Sequence, residues 1–393
     1  MNKEILREAQ ALSPYLTEIF TTIHRNPELS TQEYKTQALI LRELEAMGIE
    51  AKPIADTGVL GIIRGGQPGK TVAFRADMDA LPIQEETNLP YASEVPGVMH
   101  ACGHDTHVTI LLGAARLLAA RRESLQGNVK LFFQPAEETV GGAKRMIAEG
   151  CMEDPHVDAV FYSHCGCSTP TGSIWIRSGP NNAASNPFTL TFRGKGAHAA
   201  SPHRANDVIV AASQAVVALQ TICSRRTDPT DSVVLSVGSF HAGTAGNVLP
   251  ETAVLNGIIR TVNPVTRANT VESFRQIVGG IAAAMGVEAE IDVRTGFSAT
   301  VNDAAMTQLV KDCAADLFGA EKVIPKEAPS MGTEDVGYFM ENTPGCYYNF
   351  GVANPEKGYG NPTHSPFFAA DPDALPCGAA LYTAIALRFL SET

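Results

Sequence analysis

Between residues 182 and 296 the chain follows an element order that few folds accommodate. PFTLTFRGKGAHAA reads as a strand and a glycine-rich turn, NDVIVAASQAVVALQTI as a helix, and DSVVLSVGSFHAG and NVLPETAVLNGIIRTV as strands. VTRANTVESFRQIVGGIAAAMG then reads as a helix and VEAEIDVRTG as a last strand. That β-α-β-β-α-β order is the split βαβ arrangement of ferredoxin-like domains. On either side of it, strands alternate with helices, as in an α/β sheet. The expectation is an α/β protein with a mixed-sheet main domain, residues 1–181 and 297–393, carrying an inserted α+β satellite, residues 182–296. Such a small satellite sheet has open edges that pairing between two copies would protect, so a homodimer through the satellite is expected.

Size and charge agree with this division. At 393 residues the chain exceeds the length at which single cores stop growing. A net charge of -12 leaves no basic stripe for nucleic acid or an anionic membrane, so neither is expected as a partner. The N-terminal MNKEILREAQALSPYL is amphipathic and charged, without the apolar centre of a secretory signal, and no later run reads as long as a membrane span. Eight cysteines, at 102, 151, 165, 167, 223, 313, 346 and 377, are too scattered for a disulfide framework. Free thiols fit a cytoplasmic location.

Residues 3–25 and 31–48 carry helical periodicity. Between them, HRNPELS places Ser30 as an N-cap with Glu33 at the capping-box spacing. GVLGIIRG and KTVAFRADMDALP follow as strands, and Arg75, Asp77 and Asp79 fall on one face where the second turns polar. In open α/β sheets, ligands collect beyond that end.

MHACGHDTH, residues 99–107, sets a thiol, two imidazoles and a carboxylate before the apolar helical run VTILLGAARLLAA. If Cys102 and His104 lie in extended backbone, side chains two apart point the same way and can reach one metal ion, with the helix starting near Asp105. Cys and His suit zinc and its neighbours. Asp77, Asp79 and Asp105 are candidate carboxylate partners for metal-bound imidazoles. NVKLFFQPAEE reads as a buried strand ending in Glu137 and Glu138. On extended backbone these would point opposite ways and do different jobs; the plainer alternative is an acidic turn before the helix GGAKRMIAEG. VDAVFYSHCG reads as a strand ending in His164, and the flanking Cys165 and Cys167 as loop residues, since a disulfide at that spacing is strained. In the last segment, a buried strand GCYYNFGV leads to the loop PTHSPFF with His364, and a final helix starts near Asp371. Cys102, His104, Glu138, His164 and His364 therefore all fall at expected strand ends or in loops of the main domain.

The ordered blocks RADMDALPIQE, MHACGHDTH, FQPAEE, GKGAHAASPH, GTAGNVLPE, GIIRT, GTEDVGYF and THSPFF resemble the metal-dependent amidohydrolases that include hippurate hydrolase, N-acyl-amino-acid deacylases and indole-acetyl-amino-acid hydrolases, related to aminoacylase and carboxypeptidase G. The resemblance implies a metallohydrolase fold whose satellite serves dimerisation. It implies that Cys102, His104, Glu138, His164 and His364 hold two divalent metals, manganese or zinc, with Cys102 shared, and that Glu137 is the general base. It further implies that His198 stabilises the oxyanion, from the same or the partner subunit, and that Asn247 and Arg260 bind substrate, Arg260 through its α-carboxylate. Satellite closure over the cleft would bring His198 and Arg260 in. The implied reaction splits the amide of an N-acyl-amino acid into a carboxylic acid and an amino acid.

His100, His107 and His203 read as structural. Two departures from the family pattern, CGCSTP after His164 and Val336 in GTEDVGYF, are expected to reshape the acyl pocket. Three alternatives stay open: a dipeptidase or carboxypeptidase with the same metal chemistry, a thiol hydrolase with Cys102 as nucleophile, and a non-catalytic metal-binding module. Glu137 speaks against the last.

Overall fold

A computed structural model of the chain describes residues 2–139 and 141–391. The larger of its two compact units holds the described residues up to Gly179, Val301–Ala328 and those from Asp335 onward; the smaller is Pro180–Thr300 with Pro329–Glu334. GTEDVGYF is thus divided, its first three residues in the smaller unit and the rest in the larger.

The expected first helix is two, α1 (Asn2–Ala11) and α2 (Ser13–Arg25). Pro14 sits in the first turn of α2, where its missing N–H removes no helical bond. The capping box at Ser30 does not form, and α3 (Tyr34–Ala46) starts after Glu33. Both residues make tertiary bonds instead. Ser30 Oγ donates to Asp79 at 2.6 Å, and the Glu33 carboxylate accepts from Thr57 Oγ1 at 2.5 Å and the Ala136 N–H at 2.9 Å.

The chain continues through β1 (Glu50–Ile54), β2 (Gly58–Arg64), β3 (Gln67–Asp77), α4 (His104–Ala119), β4 (Gln126–Gln134), α5 (Gly142–Ala148), β5 (Ala159–Pro170) and β6 (Ile174–Ile176). In the smaller unit follow β7 (Ala184–Arg193), α6 (Val208–Thr221), β8 (Val233–Ala242), β9 (Thr252–Thr261), α7 (Pro264–Met285) and β10 (Glu288–Val293). Its sheet order is β8-β9-β7-β10, antiparallel throughout, which is the ferredoxin-like order. α6 and α7 bury Ala211, Ala215, Leu219, Phe274 and Val278 with Phe188, Leu190 and Leu255 of the strands.

Back in the larger unit, α8 (Ala304–Phe318), β11 (Val323–Pro325), β12 (Gly345–Ala353) and α9 (Ala374–Ser391) complete the chain. The eight-stranded sheet runs β1-β2-β4-β3-β5-β12-β6-β11, and its central strands β4, β3, β5 and β12 are parallel. Alternation along the strands gives the sheet two different faces. Phe74 and Phe161 face α4 and α9, where Phe74 meets Tyr382 at 4.8 Å between ring centroids. Arg75 and Tyr162, one residue on, face the other way.

Two helical stretches, Val208–Arg226 and Ala374–Ser391, have the length and apolarity of a membrane span, which corrects the sequence expectation. The second is largely buried against the sheet and its neighbouring helices, and a core helix has the same composition as a span.

Candidate metal centre

The polar face of the large sheet carries the expected cluster at the carboxyl ends of its central strands. Cys102 and His104 converge differently from the strand alternation expected of them. Cys102 lies in a turn, His104 is the first residue of α4, and Gly103 between them is left-handed at φ +83°. A Cβ there would also meet Cys165 Sγ at 2.7 Å, so glycine is required for space as well as for backbone. For Glu137 and Glu138 the plainer of the two readings, an acidic turn, is the one observed. They occupy a turn after Ala136, which has φ +56°, and both carboxylates lie within 4.8 Å of a His104 nitrogen. His164 is inside β5 rather than at its end; pairing with β3 stops at Tyr162, so β5 runs on past its neighbour. Cys165 and Cys167 are strand residues for the same reason. His364 has φ +63°, and its N–H donates to the carbonyl of Ala101 at 2.8 Å, next to Cys102.

Among the five expected ligands, two triads of ligand atoms result, and they share one sulfur. Cys102, His104 and His164 lie within 4.8 Å of one another, as do Cys102, Glu138 and His364. His104 Nδ1 is 3.2 Å from Asp79, which fixes the ring, while the buried Nε2 has no hydrogen-bond partner among the described residues. It stands 3.9 Å from Glu138 Oε1, itself a buried atom without a hydrogen bond, though His364 Nε2 approaches it to 3.3 Å. Two buried atoms of ligand type that face each other and meet no hydrogen-bond geometry among the described residues, with Asp77 and His364 close by at 3.4 and 3.3 Å, fit a cation between them.

The electrostatics point the same way. Burial works against a charge on His104, yet Asp77, Asp79 and Glu138 raise it to about 10, so the cluster calls for positive charge. Burial opposes ionisation of Asp79 and Glu138 too. Bonds from His104, Ser30 and the Glu138 N–H hold Asp79 below the usual range, and His364, His104 and Cys102 do the same for Glu138.

Cys102 Sγ is 3.3 Å from His164 Nε2, the spacing of a thiol–imidazole pair. The pair is tuned against nucleophilic use, however. Burial, Glu138 and Glu137 push the thiol well up, while burial and His107 lower His164 to about 3, leaving a protonated thiol beside a poor base.

The three aspartates separate. Asp79 holds His104. Asp77 approaches His104 Nε2 at 3.4 Å but bonds His107 Nδ1 at 2.5 Å and accepts from Tyr162 at 2.7 Å. His107 Nε2 accepts the Cys165 N–H at 2.9 Å, so both its nitrogens are used in holding the fold. Asp105 turns away from the cluster: its carboxylate binds His24 Nδ1 at 2.5 Å and accepts the Thr106 N–H, correcting its expected place beside a metal-bound imidazole.

Sequence reasoning missed the partners of Arg75. Its guanidinium lies over the Tyr162 ring and bonds Asp77 at 2.6 Å, Asp335 at 2.7 Å and Gln134 at 2.9 Å. Only the burial implied by the apolar run around Arg75 hinted that so large a cation needed such company. Val336 is fully buried in the short helix Asp335–Tyr338.

In the smaller unit, His198 and Asn247 meet. Ala197–His198 pairs with Val248–Leu249, and the Ala199 N–H donates to the Asn247 carbonyl. Both residues are exposed. Arg260 lies on β9 opposite Ser185, with Nη1 buried and without a hydrogen bond. His198 follows the far end of β7. At ~3.3 Å per residue, the eight steps from Ser185 to Arg193 span about 26 Å, and His198 lies five residues further along the chain. His100 is buried, and His203 lies exposed in the short helix Pro202–Arg204.

Residues 73–388 match peptidase family M20/M25/M40. Across 99% of both chains the sequence is 37% identical to thermostable carboxypeptidase 2 of Saccharolobus solfataricus. It is 41% identical to the N-acetyl-L-cysteine deacetylase of Bacillus subtilis over 90% of this chain and 83% of that one. The crystal structure of a dinuclear metal binding peptidase of the M20 family, from Bacillus subtilis, superposes with a TM-score of 0.85 at 34% identity, covering 98% of this chain and 100% of the other.

Proposed function

The chain belongs to peptidase family M20/M25/M40 and is a metal-dependent amide hydrolase, and from that premise we propose that it cleaves N-acyl-amino acids to a carboxylic acid and a free amino acid. The observation that carries this reading is the pair of ligand triads sharing Cys102, with Glu137 beside them. Cys102, His104 and His164 would hold one divalent ion and Cys102, Glu138 and His364 the other, manganese or zinc by donor type. When bound, such ions polarise the amide carbonyl and acidify water at neutral pH.

The chain's own groups do the rest. Glu137, outside those two triads, takes the proton of the attacking water and passes it to the leaving amine. Asp79 holds the His104 ring in orientation. His198 donates to the developing oxyanion, and Arg260 pairs with the α-carboxylate through its planar fork. Within one satellite, those two belong to opposite ends of β7, Arg260 beside Ser185 and His198 beyond Arg193. A homodimer in which each site draws His198 from the partner supports both roles. The open edge strand β8 with exposed Phe240, and exposed Val210 and Val217 on α6, support the same assembly, which the mass in solution checks. Eight free cysteines support a reducing, cytoplasmic location.

A second reading, carboxypeptidase or dipeptidase, is favoured by the likeness to the Saccharolobus enzyme. A panel of acetyl-, benzoyl- and long-chain-acyl-amino acids beside dipeptides, assayed with protein reconstituted in manganese or zinc, separates them. Preference for the acyl-amino acids is expected; turnover of dipeptides alone would overturn the reading.

A further inference from the structure

Resting on that ligand assignment, we infer that His24 is a positioning residue that sets the spacing between the two ends of the metal centre, the His104 end and the His364 end. His24 lies near the end of α2, and its ring bonds to Asp105 and Glu85, neither of them a candidate ligand. Its ring is buried, with a side chain 2% exposed, and it bonds two carboxylates that are equally buried. Nδ1 is 2.5 Å from Asp105 and Nε2 is 3.3 Å from Glu85. Only the doubly protonated ring can donate to both, so one cation ties two anions that would otherwise stand unpaired.

Each anion leads to one end of the cluster. Asp105 follows His104 in the first turn of α4, and its other oxygen accepts the Thr106 N–H at 2.8 Å, so the turn's backbone is bonded to the clamp. Glu85 belongs to the segment between β3 and α4, where it also accepts the Ser93 N–H at 2.7 Å and the Thr87 hydroxyl. The next residue, Glu86, donates its N–H to the carbonyl of Pro366 at 2.8 Å, two residues beyond His364. His24 thus connects the backbone that presents His104 to the loop that presents His364. His364 needs such a tether, because its own side chain is 54% exposed and its backbone is left-handed. His100, buried with its ring 6.5 Å from that of His24 and with neither nitrogen hydrogen-bonded to a described residue, fills the space beside the clamp without competing for either carboxylate.

The test is stepwise titration of the metal-free full-length protein with manganese or zinc, followed by calorimetry, for wild type, His24→Gln, Glu85→Gln and the double variant. Carboxylate partners one step removed from a metal change its affinity by about 10- to 100-fold. His24→Gln is expected to weaken one of two binding steps by that factor and to lower kcat more than it changes KM. Glu85→Gln is expected to weaken the same step less. The double variant, in which no carboxylate is stranded at position 85, is expected to recover part of the loss, which a merely destabilised fold would not do. Two unchanged binding steps in His24→Gln overturn the inference. Should that variant fail to fold, Glu85→Gln decides alone, and unchanged binding there also overturns it. A wild-type protein that binds fewer than two ions refutes the ligand assignment instead, so the two failures are told apart.

Discussion

At the carboxyl ends of β3 and β4, nearly every side chain that faces the ligand cluster is gripped by a buried partner, whereas in the smaller unit His198 and Asn247 stand in solvent on a two-residue ladder. Asp79 holds His104, Arg75 holds Asp77, and Tyr162 and His107 hold Asp77 again. Among the described residues, the one side-chain bond at His198 is accepted by its Nδ1 from the Ala200 N–H, at 3.1 Å. The first region is organised before any ligand arrives; its charges are fixed at folding and carry little further ordering cost on binding. The second offers groups that a substrate or a second copy of the chain must organise. Damage should therefore appear as lost chemistry and lost stability in the first region, and in the second as lost substrate or transition-state contacts with stability kept.

Glu137→Gln should show the largest effect. Removing the base while keeping the shape is expected to lower kcat by about 10²- to 10⁴-fold. Metal content, measured by atomic emission, should stay at the wild-type level, because Cys102, His104, Glu138, His164 and His364 are untouched. A variant that retains most of its activity removes Glu137 from the mechanism. A variant that loses metal makes it a ligand.

Arg75→Met comes next and probes the gripping partners. It strands the buried Asp77 and Asp335, both 0% exposed, and breaking such pairs costs about 3–5 kcal/mol. Chemical denaturation should show that loss, with activity at low temperature falling less. If stability moves by under about 1 kcal/mol, the network is not fixed by this cation.

The His24 clamp predicts a pH dependence. Burial lowers the tendency of His24 to charge, but Asp105 and Glu85 outweigh it and raise the ring from 6.5 to about 9. A raised folded-state value means the stabilisation is complete below about pH 6.5 and is lost as pH rises through about 9, on the order of 3 kcal/mol. Urea unfolding of the metal-free protein between about pH 6 and pH 9.5 should show this decline, and His24→Gln should flatten it. An equal slope in both proteins removes His24 as its source.

Much of the first region could be read from the chain, and the reason is local. Strands that turn polar announce their ends, so Asp77, Glu137 and Glu138 were found by position. The ferredoxin-like order of the satellite was equally visible, because hydrophobic periodicity is a short-range signal. What escaped reading depends on contacts between distant segments. Asp105 finds His24 across 81 positions and Arg75 finds Asp335 across 260. Ser30 and Glu33 have the spacing of a capping box, yet Asp79, Thr57 and Ala136 claim them, since a buried donor or acceptor left unpaired costs more than a helix cap gains. Gly103 was legible as a glycine but not as the left-handed hinge that lets Cys102 and His104 converge across a helix start.

Arg260→Met should give the smallest change in stability, and for that reason it tests the comparison most sharply against Arg75→Met. Both remove a guanidinium from a strand, but Arg75 neutralises buried carboxylates, while Arg260 is half-buried, its charged form is disfavoured by burial, and its buried Nη1 makes no hydrogen bond. Deleting a cation whose buried Nη1 bonds none of the described residues should shift unfolding by no more than about 0.5 kcal/mol in either direction. If the vacant nitrogen is meant for a substrate carboxylate, KM should rise at least about tenfold with kcat nearly unchanged, the signature of binding lost equally from ground and transition states. A normal KM would leave Arg260 a structural charge. A large stability loss would mean that the smaller unit, like the larger, is organised around a buried cation.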